Sequence, residues 1–467
     1  MSQQLEATIS GFHGQVITSA DAEYETARKV WNGAIDHRPR LIARCRSAED
    51  VAAALGHARS TGLDVSVRGG AHNFAGNAVW PDALTIDLSE LARVEVDPAA
   101  RTVFCQGGAL LSGLDAATQE HGLAVPSGTI SHTGVGGLTL GGGFGWLTRE
   151  HGLSIDNLVS VRMVTADGRI VDASERSHPD LFWAVRGGGG NFGVAAEFTF
   201  RAHPVAPLVN MGLLFWPIEQ GTEALLLIRD TLARLPGGSN ALVGIAMNAP
   251  PAPFVPEQYH FAPGHALILA GFGSPEEHAA LVESVRAGLA PLFDFVSPMP
   301  YTALQSMLDD AAPPGILAYE RALYLDELTD DVIAVMSEFS LRKSSPMSFA
   351  PMFRLDGAFT DVDDAATAFG GARRPCYVIN PACMAPSPEL FQADRGWVRS
   401  FWEALLPYAR GAGSYVNFLA EQDQERVMAA YGPEKYRRLA AVKARYDPEN
   451  VFRHNANIKP AAAANGG

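Results

Sequence analysis

The chain is poor in cysteine, in basic charge and in long apolar runs, and each shortage removes a class of protein. Its four cysteines, Cys45, Cys105, Cys376 and Cys383, are too few and too scattered among 467 residues for a disulfide framework. Cys376 and Cys383 stand seven apart without partner histidines, so no zinc or other metal site is expected. All four read as small core residues. Lys and Arg number 36 against 51 Asp and Glu, a formal net charge of −15. No Lys/Arg run concentrates what basic charge there is, which excludes a nucleic-acid partner. No apolar run approaches the roughly 20 residues that span a bilayer, so no membrane partner is expected. The stretch Met1 to Gly14 carries Glu6 and lacks both the basic and the apolar region of a secretory signal. A cytoplasmic location follows as the expectation.

What the chain has is length, an apolar content of 47% and 46 glycines. At this length two cores are expected rather than one. The first 200 or so residues alternate helix and strand signals. Ala48 to Ser60 has helical apolar spacing, with Ser47 as N-cap and a stop at Thr61-Gly62. Leu63 to Val67, Leu84 to Leu88 and Thr102 to Gln106 read as strands, and Ala109 to His121 as a helix ending at Gly122. After Pro204 the pattern changes. Leu208 to Trp216, His265 to Gly273, Tyr319 to Leu325 and Arg374 to Met384 read as strands and Ser274 to Ala290 as a helix, which predicts an antiparallel sheet with helices on one face. Tyr377 and Ile379 alternate on this sheet and are candidates for a substrate wall. Ala249-Pro250-Pro251-Ala252-Pro253 reads as a surface loop, and only the tail Ala461 to Gly467 is low in complexity. Near the C-terminus Ser414 to Leu419 reads as a strand and Pro433 to Tyr446 as a helix.

The glycines concentrate in two places. One is Val67-Arg68-Gly69-Gly70-Ala71-His72-Asn73. The other runs from Ser131 to Trp146, where seven of the twelve residues from Gly134 to Gly145 are glycine. Ordering glycine costs conformational entropy, so such runs mark backbone that must turn tightly or approach something closely. Successive backbone N–H groups in such loops form nests for anions, and Arg68 adds charge to one of them, which points to a phosphate-bearing ligand. A third run, Gly188-Gly189-Gly190-Asn191-Phe192-Gly193, matches the dinucleotide fingerprint G-x-G-x-x-G. That fingerprint needs a strand before it and a helix after it, whereas Leu181 to Arg186 reads as a helix end and Val194 to Phe200 as a strand. The order is reversed, and the match is set aside.

The first stretch resembles the loop of the vanillyl-alcohol-oxidase/para-cresol-methylhydroxylase flavoproteins, in which a histidine four residues after an arginine is bonded to the 8α-methyl of FAD. Here that histidine is His72. The second stretch, continuing through His151-Gly152-Leu153-Ser154-Ile155-Asp156-Asn157, is similar to the matching segment of the berberine-bridge-enzyme-like branch. Gly187 to Val194, Tyr415-Val416-Asn417-Phe418 and Tyr446 to Phe452 fit in order, so the resemblance spans nearly the whole chain and is weakest in its middle.

The resemblance implies a fold and a set of site residues. The fold is a two-domain α+β vanillyl-alcohol-oxidase-type FAD fold, with residues 1–205 and the returning segment 411–467 as the FAD domain and 206–410 as an antiparallel-sheet substrate domain. The cofactor residues are Arg68, Gly69, Gly70, Ala71, His72 and Asn73 in the first loop. In the second they are Thr129, His132, Thr133, Gly134, Gly137, Leu138, Gly142, Gly143, Phe144 and Gly145. Asn157, Gly193, Val194, Tyr415, Asn417, Asn455 and Asn457 complete the set. Many relatives add a second flavin bond from a cysteine four residues before Gly134-Val135-Gly136-Gly137. Ile130 occupies that position, which implies a single 8α-histidyl link. Thr133 stands where some single-histidine members place a threonine near flavin N5; read from the residues alone, it equally satisfies its own loop. Tyr415, with Asn417 on the same face of the expected strand, stands where the family often has its general base; the other reading is a buried strand tyrosine.

The implied activity is oxidation of a small or medium-sized alcohol, amine or secondary-metabolite substrate, with O2 as second substrate and H2O2 as product. The alternative is a flavin monooxygenase or dual oxidase. A flavin-bearing binding protein is the non-enzymatic rival. A monomer or homodimer fits each.

Overall fold

In the computed structural model, residues 8–411 and 413–462 are described. The first seven residues, and the last five of the alanine- and glycine-rich tail, lie outside them.

Two larger sheets, with the short pair Leu123–Ala124 and His203–Pro204, form the part that ends at Pro204. A four-stranded sheet has the order Gln15–Ile17, Leu41–Arg44, Leu84–Asp87, Val65–Arg68, with the last three strands parallel. The helix Ala48–Thr61 covers it. Ser47 caps this helix by accepting from the Asp50 N–H, and Gly62 ends it in the left-handed region at φ 69°, which a side chain would disfavour. The second sheet is antiparallel and five-stranded: Val94–Asp97, Thr102–Gln106, Val194–Arg201, Leu158–Val164, Ile170–Ser174. Helix Pro179–Val185 precedes the third glycine run and strand Val194–Arg201 follows it, the reverse of a dinucleotide fold.

The seven-stranded sheet of the second part has the order Phe293–Pro300, Leu208–Pro217, Pro263–Gly271, Ser239–Asn248, Ala350–Leu355, Cys376–Ile379, Leu323–Leu325, antiparallel throughout. Its two faces have different tasks. Leu214, Trp216, Val243, Leu267, Leu269 and Met352 pack against helices Gly221–Ala233, Pro275–Gly288, Asp330–Ser340 and Pro388–Leu405 through residues such as Ile228, Val282, Met336 and Phe401. Burial of each such large side chain stabilises by roughly 1.5–3 kcal/mol. The alternate residues, among them Leu213, Leu242, Phe353 and Val378, face Phe144, Trp146 and Tyr415 of the other part. The expected two-domain α+β architecture, with helices on one face of an antiparallel sheet, is the one observed. Arg373 fastens the two parts by a buried bidentate contact with Asp156 at 2.8 and 2.7 Å.

Four expected elements differ. The run Tyr319 to Leu325 is two strands in two sheets: Leu317–Glu320 pairs with Ala382–Ala385, and Leu323–Leu325 with Cys376–Ile379. The run Arg374 to Met384 divides likewise at Pro381, which has no N–H to give a ladder. Ser414 to Leu419 is not a strand; Val416–Phe418 is a single 3-10 turn. The helix expected from Pro433 belongs to a longer element, Gln424–Tyr446, interrupted at Gly432 with φ 72° and ψ 163°. Pro433 therefore starts a second helical segment, where its missing N–H costs nothing.

Candidate active site

Between the two parts lies a cavity of about 380 Å³. Gly69 to Asn73, Gly128 to Ile130, Thr133, Gly134, Gly137, Leu138, Phe144 and Gly189 to Asn191 line one side of it, and Phe452 and His454 to Ala456 join them from the C-terminal segment. The substrate-side wall is Leu242, Glu320, Phe349, Pro351, Phe353, Asn380, Ala382 and Met384. Tyr415, Val416, Asn417 and Phe418 stand between.

The two glycine loops meet back to back. A Cβ on Gly70 would sit 2.3 Å from the Gly134 nitrogen, and one on Gly134 would sit 2.4 Å from the Gly70 nitrogen, so neither position admits a side chain. Gly137 and Gly190, by contrast, have no protein atom within 4 Å of a built Cβ. Their bare backbone is left to face the cavity.

The first loop turns through Ala71, whose φ of 55° is unusual for a residue with a side chain. That turn delivers His72 onto Trp31, the rings 4.5 Å apart and 18° from parallel. His72 Nε2 lies 3.0 Å from His132 Nδ1. Burial, reinforced by the neighbouring His132, lowers the His72 pKa to about 3, so its imidazole is neutral and keeps a lone pair. Arg68 departs from expectation. Its guanidinium bonds the carbonyls of Ala27 and, at 2.7 Å, Lys29, and it does not line the cavity. Its charge braces the chain that carries Trp31 instead of filling an anion nest.

Tyr415 and Asn417 converge, although through a turn rather than along a strand. The Tyr415 hydroxyl accepts from the Gly143 N–H and from Asn417 Nδ2, both at 2.8 Å. Asn417 Nδ2 also donates to the Leu138 carbonyl at 3.0 Å. Burial raises the Tyr415 pKa above the usual phenol value, and the two N–H donors offset only part of that. The hydroxyl therefore stays protonated near neutral pH.

Several expected residues are placed elsewhere. Gly142, Gly143 and Gly145 do not line the cavity; their positions for a Cβ are filled by Phe369 and Tyr415, by Ser154, and by the Ser127 carbonyl. Gly142 and Gly143 have φ of 140° and 77°, so they serve a turn that seats Tyr415. Asn157 bonds the carbonyls of His151 and Leu153 at 2.8 and 2.9 Å and lies 2.6 Å from His203 Nε2, which closes its own loop. Gly193 backs onto the Val164 carbonyl, Val194 is core, and Asn457 lies outside the lining. Tyr377 and Ile379 pack toward the helices, away from the cavity. A strand's side chains alternate, so choosing the wrong parity assigns every residue to the wrong face.

Other residues of the site carry no sequence signal of their own. Trp31, Glu320 and Asn380 are isolated in the sequence and reach the cavity only through long-range folding. Lys443 is legible only in retrospect. Fully buried, it donates to Asp447 Oδ2 and to the carbonyls of Asn191 and Phe452 at 2.7, 2.7 and 2.9 Å, which ties the C-terminal segment to the third glycine run.

The residues present fit a flavin dinucleotide. A glycine cradle stays open to the cavity, a neutral histidine stands at its edge, and Asn455, on the lining, has a buried Oδ1 with no partner within the protein; His132, expected in the cofactor set, stands behind His72 and does not line the cavity. Sequence comparison decides the matter. The FAD binding domain family matches residues 39–174, and the family described as berberine and berberine-like matches residues 414–459. An FAD-linked oxidoreductase of Dictyostelium discoideum is 30% identical over 453 residues, covering 96% of this chain and 95% of that protein. The chain belongs to the berberine-bridge-enzyme-like FAD-linked oxidoreductases. Within this family, (R)-6-hydroxynicotine oxidase of Paenarthrobacter nicotinovorans is 28% identical over 478 residues, covering 98% of this chain and 99% of that one. The crystal structure of 6-hydroxy-D-nicotine oxidase from Arthrobacter nicotinovorans superposes with a TM-score of 0.85 at 26% identity, over 97% of this chain and 99% of that chain. As a family member the protein is an FAD-binding oxidoreductase. None of its described helices is long and apolar enough to cross a membrane.

Proposed function

We propose that the protein is an oxidase carrying FAD on a single covalent link to His72. The observation that carries this reading is His72 itself: a neutral imidazole held between Trp31 and His132 at the edge of the glycine cradle, with Ile130 on the cavity wall where a second link would need a cysteine. When bound, the flavin would accept a hydride from an organic substrate and pass the electrons to dioxygen, giving hydrogen peroxide. The protein's share is to hold and orient. His72 and the two glycine loops fix the cofactor. Residues 206–410 supply the substrate wall, and 1–205 with 411–467 the flavin side. Thr133 is on the cavity lining, which supports the reading that its hydroxyl serves the flavin. Tyr415 is a positioning residue in this reading, because its retained proton makes it a poor base at neutral pH. It locks Asn417 and the Gly143 turn against the cavity.

Acid-precipitated protein should stay yellow, with the flavin on a tryptic peptide containing His72. Flavin that washes out on denaturation, or that appears on any other residue, would refute the assignment. His72→Ala should retain reversibly bound FAD, since the backbone cradle remains.

A further inference from the structure

Where the two strand pairs part at Pro381, Glu320 and Asn380 are left side by side on the cavity wall. Asn380 Nδ2 donates to Glu320 Oε2 at 2.7 Å. The remaining acceptors, Glu320 Oε1 and Asn380 Oδ1, have no partner, although both are buried. A buried carboxylate ordinarily has a cation or several donors, because removing its charge from water is otherwise strongly unfavourable. Here the protein supplies one amide. Arg321, the next residue, turns instead to Glu421 and the Tyr319 hydroxyl. Among the described residues no Lys or Arg pairs with Glu320, and burial raises its pKa well above the carboxylate range. The surrounding wall, Phe349, Pro351, Phe353, Ala382 and Met384, offers no side-chain donor.

We propose that Glu320 and Asn380 recognise a basic nitrogen of the substrate, so that the cavity selects primary or secondary organic amines, with the N–H groups accepted by Glu320 Oε1 and Asn380 Oδ1. This rests on the reading of the cavity as the substrate pocket of a flavin oxidase. An ammonium provides both things the pair lacks, a positive charge and at least two N–H donors. Burial keeps Glu320 protonated while the cavity is empty, and an ammonium favours its ionised form, whereas an alcohol brings one O–H and no charge to do so. The apolar wall suits an aliphatic or aromatic carbon frame on the nitrogen.

The test uses the full-length, flavin-loaded protein and two probes of one shape, benzylamine and benzyl alcohol, titrated anaerobically at neutral pH against the flavin absorbance. Benzylamine is expected to bind at least about tenfold more tightly than benzyl alcohol, in keeping with a charge-assisted contact. Glu320→Gln keeps the shape and the Asn380 bond but cannot ionise to answer the ammonium charge. It should cost benzylamine at least about tenfold in affinity and leave benzyl alcohol within about a factor of two. Thermal unfolding of the variant at or above wild type would show that the fold is intact. A wild-type protein without preference for the amine, including one that binds neither probe, overturns the proposal, as does a Gln variant that keeps the preference. The oxidase reading fails on a separate measurement: chemically reduced flavin that dioxygen does not reoxidise with release of peroxide.

Discussion

The two sides of the cavity are made of different material. The flavin side is built around backbone, at Gly69, Gly70, Gly134, Gly137, Gly189 and Gly190, with His72 placed at its edge. The opposite wall is side chains, drawn from several strands and the turns beside them, and its polar groups are the single pair Glu320 and Asn380. A backbone surface is specified locally, because only glycine lets the chain adopt those turns and close approaches. A side-chain surface is specified by sheet register, since each strand offers alternate residues to opposite faces. The first is fixed to one ligand class.

Within the flavin side, a comparison of two glycines would break or sharpen this contrast with the largest effect. Gly70 touches backbone and Gly137 touches only the cavity. Gly70→Val should prevent the two loops from meeting and leave little soluble, flavin-containing protein. Gly137→Val should fold with near-normal thermal stability yet hold much less flavin, because the added branch enters the cradle. Absorbance of the purified proteins at the flavin band, set beside their melting curves, checks both. Equal loss of fold in the two variants would show that the cradle is ordinary packing.

A smaller effect is expected at Tyr415, where the two sides join. Tyr415→Phe keeps the ring and removes the acceptor shared by Gly143 and Asn417. Leaving buried donors unpaired should lower the unfolding free energy by about 1–3 kcal/mol. Flavin reduction, followed anaerobically by stopped flow, should slow by the same factor at every pH. A loss of about 10²- to 10⁴-fold that appears only as pH rises would instead restore Tyr415 as the general base.

The smallest effect concerns His72, for which near-constancy is the prediction. A histidine of ordinary pKa protonates as pH falls below about 6.5 and loses its lone pair. Burial and His132 hold His72 near 3, so it stays neutral well below that point. The fraction of added FAD that becomes acid-stable on apoprotein should therefore be flat from about pH 5 to 8, within the range where an unperturbed imidazole would fall off. A drop of about tenfold one unit below 6.5 would show that His72 is solvated and unshifted.

Much of the fold was legible. Capping at Ser47 and Gly62, the strand Thr102–Gln106 and the reversed order around the third glycine run follow from local chemistry. The strand expected at Ser414 to Leu419 failed because a turn is held there by tertiary contacts: Tyr415 to Gly143, and Asn417 to Leu138. The charge expected at Arg68 was real, but carbonyls at Ala27 and Lys29, some forty residues away, claim it. The parity of Tyr377 was not decidable from alternation, which gives two faces without saying which is inward.

By itself the sequence determined where glycine must stand, that a histidine follows the first run, and that no cysteine is present for a second link. These are properties of backbone freedom and of single positions. Only the tertiary structure decided that Gly142 and Gly143 support Tyr415 rather than line the cavity, and that Glu320 and Asn380 share one wall. The physical reason is that burial and pairing are set by whatever the fold brings alongside. Glu320 and Asn380, sixty residues apart, become a pair only where two strands separate at Pro381.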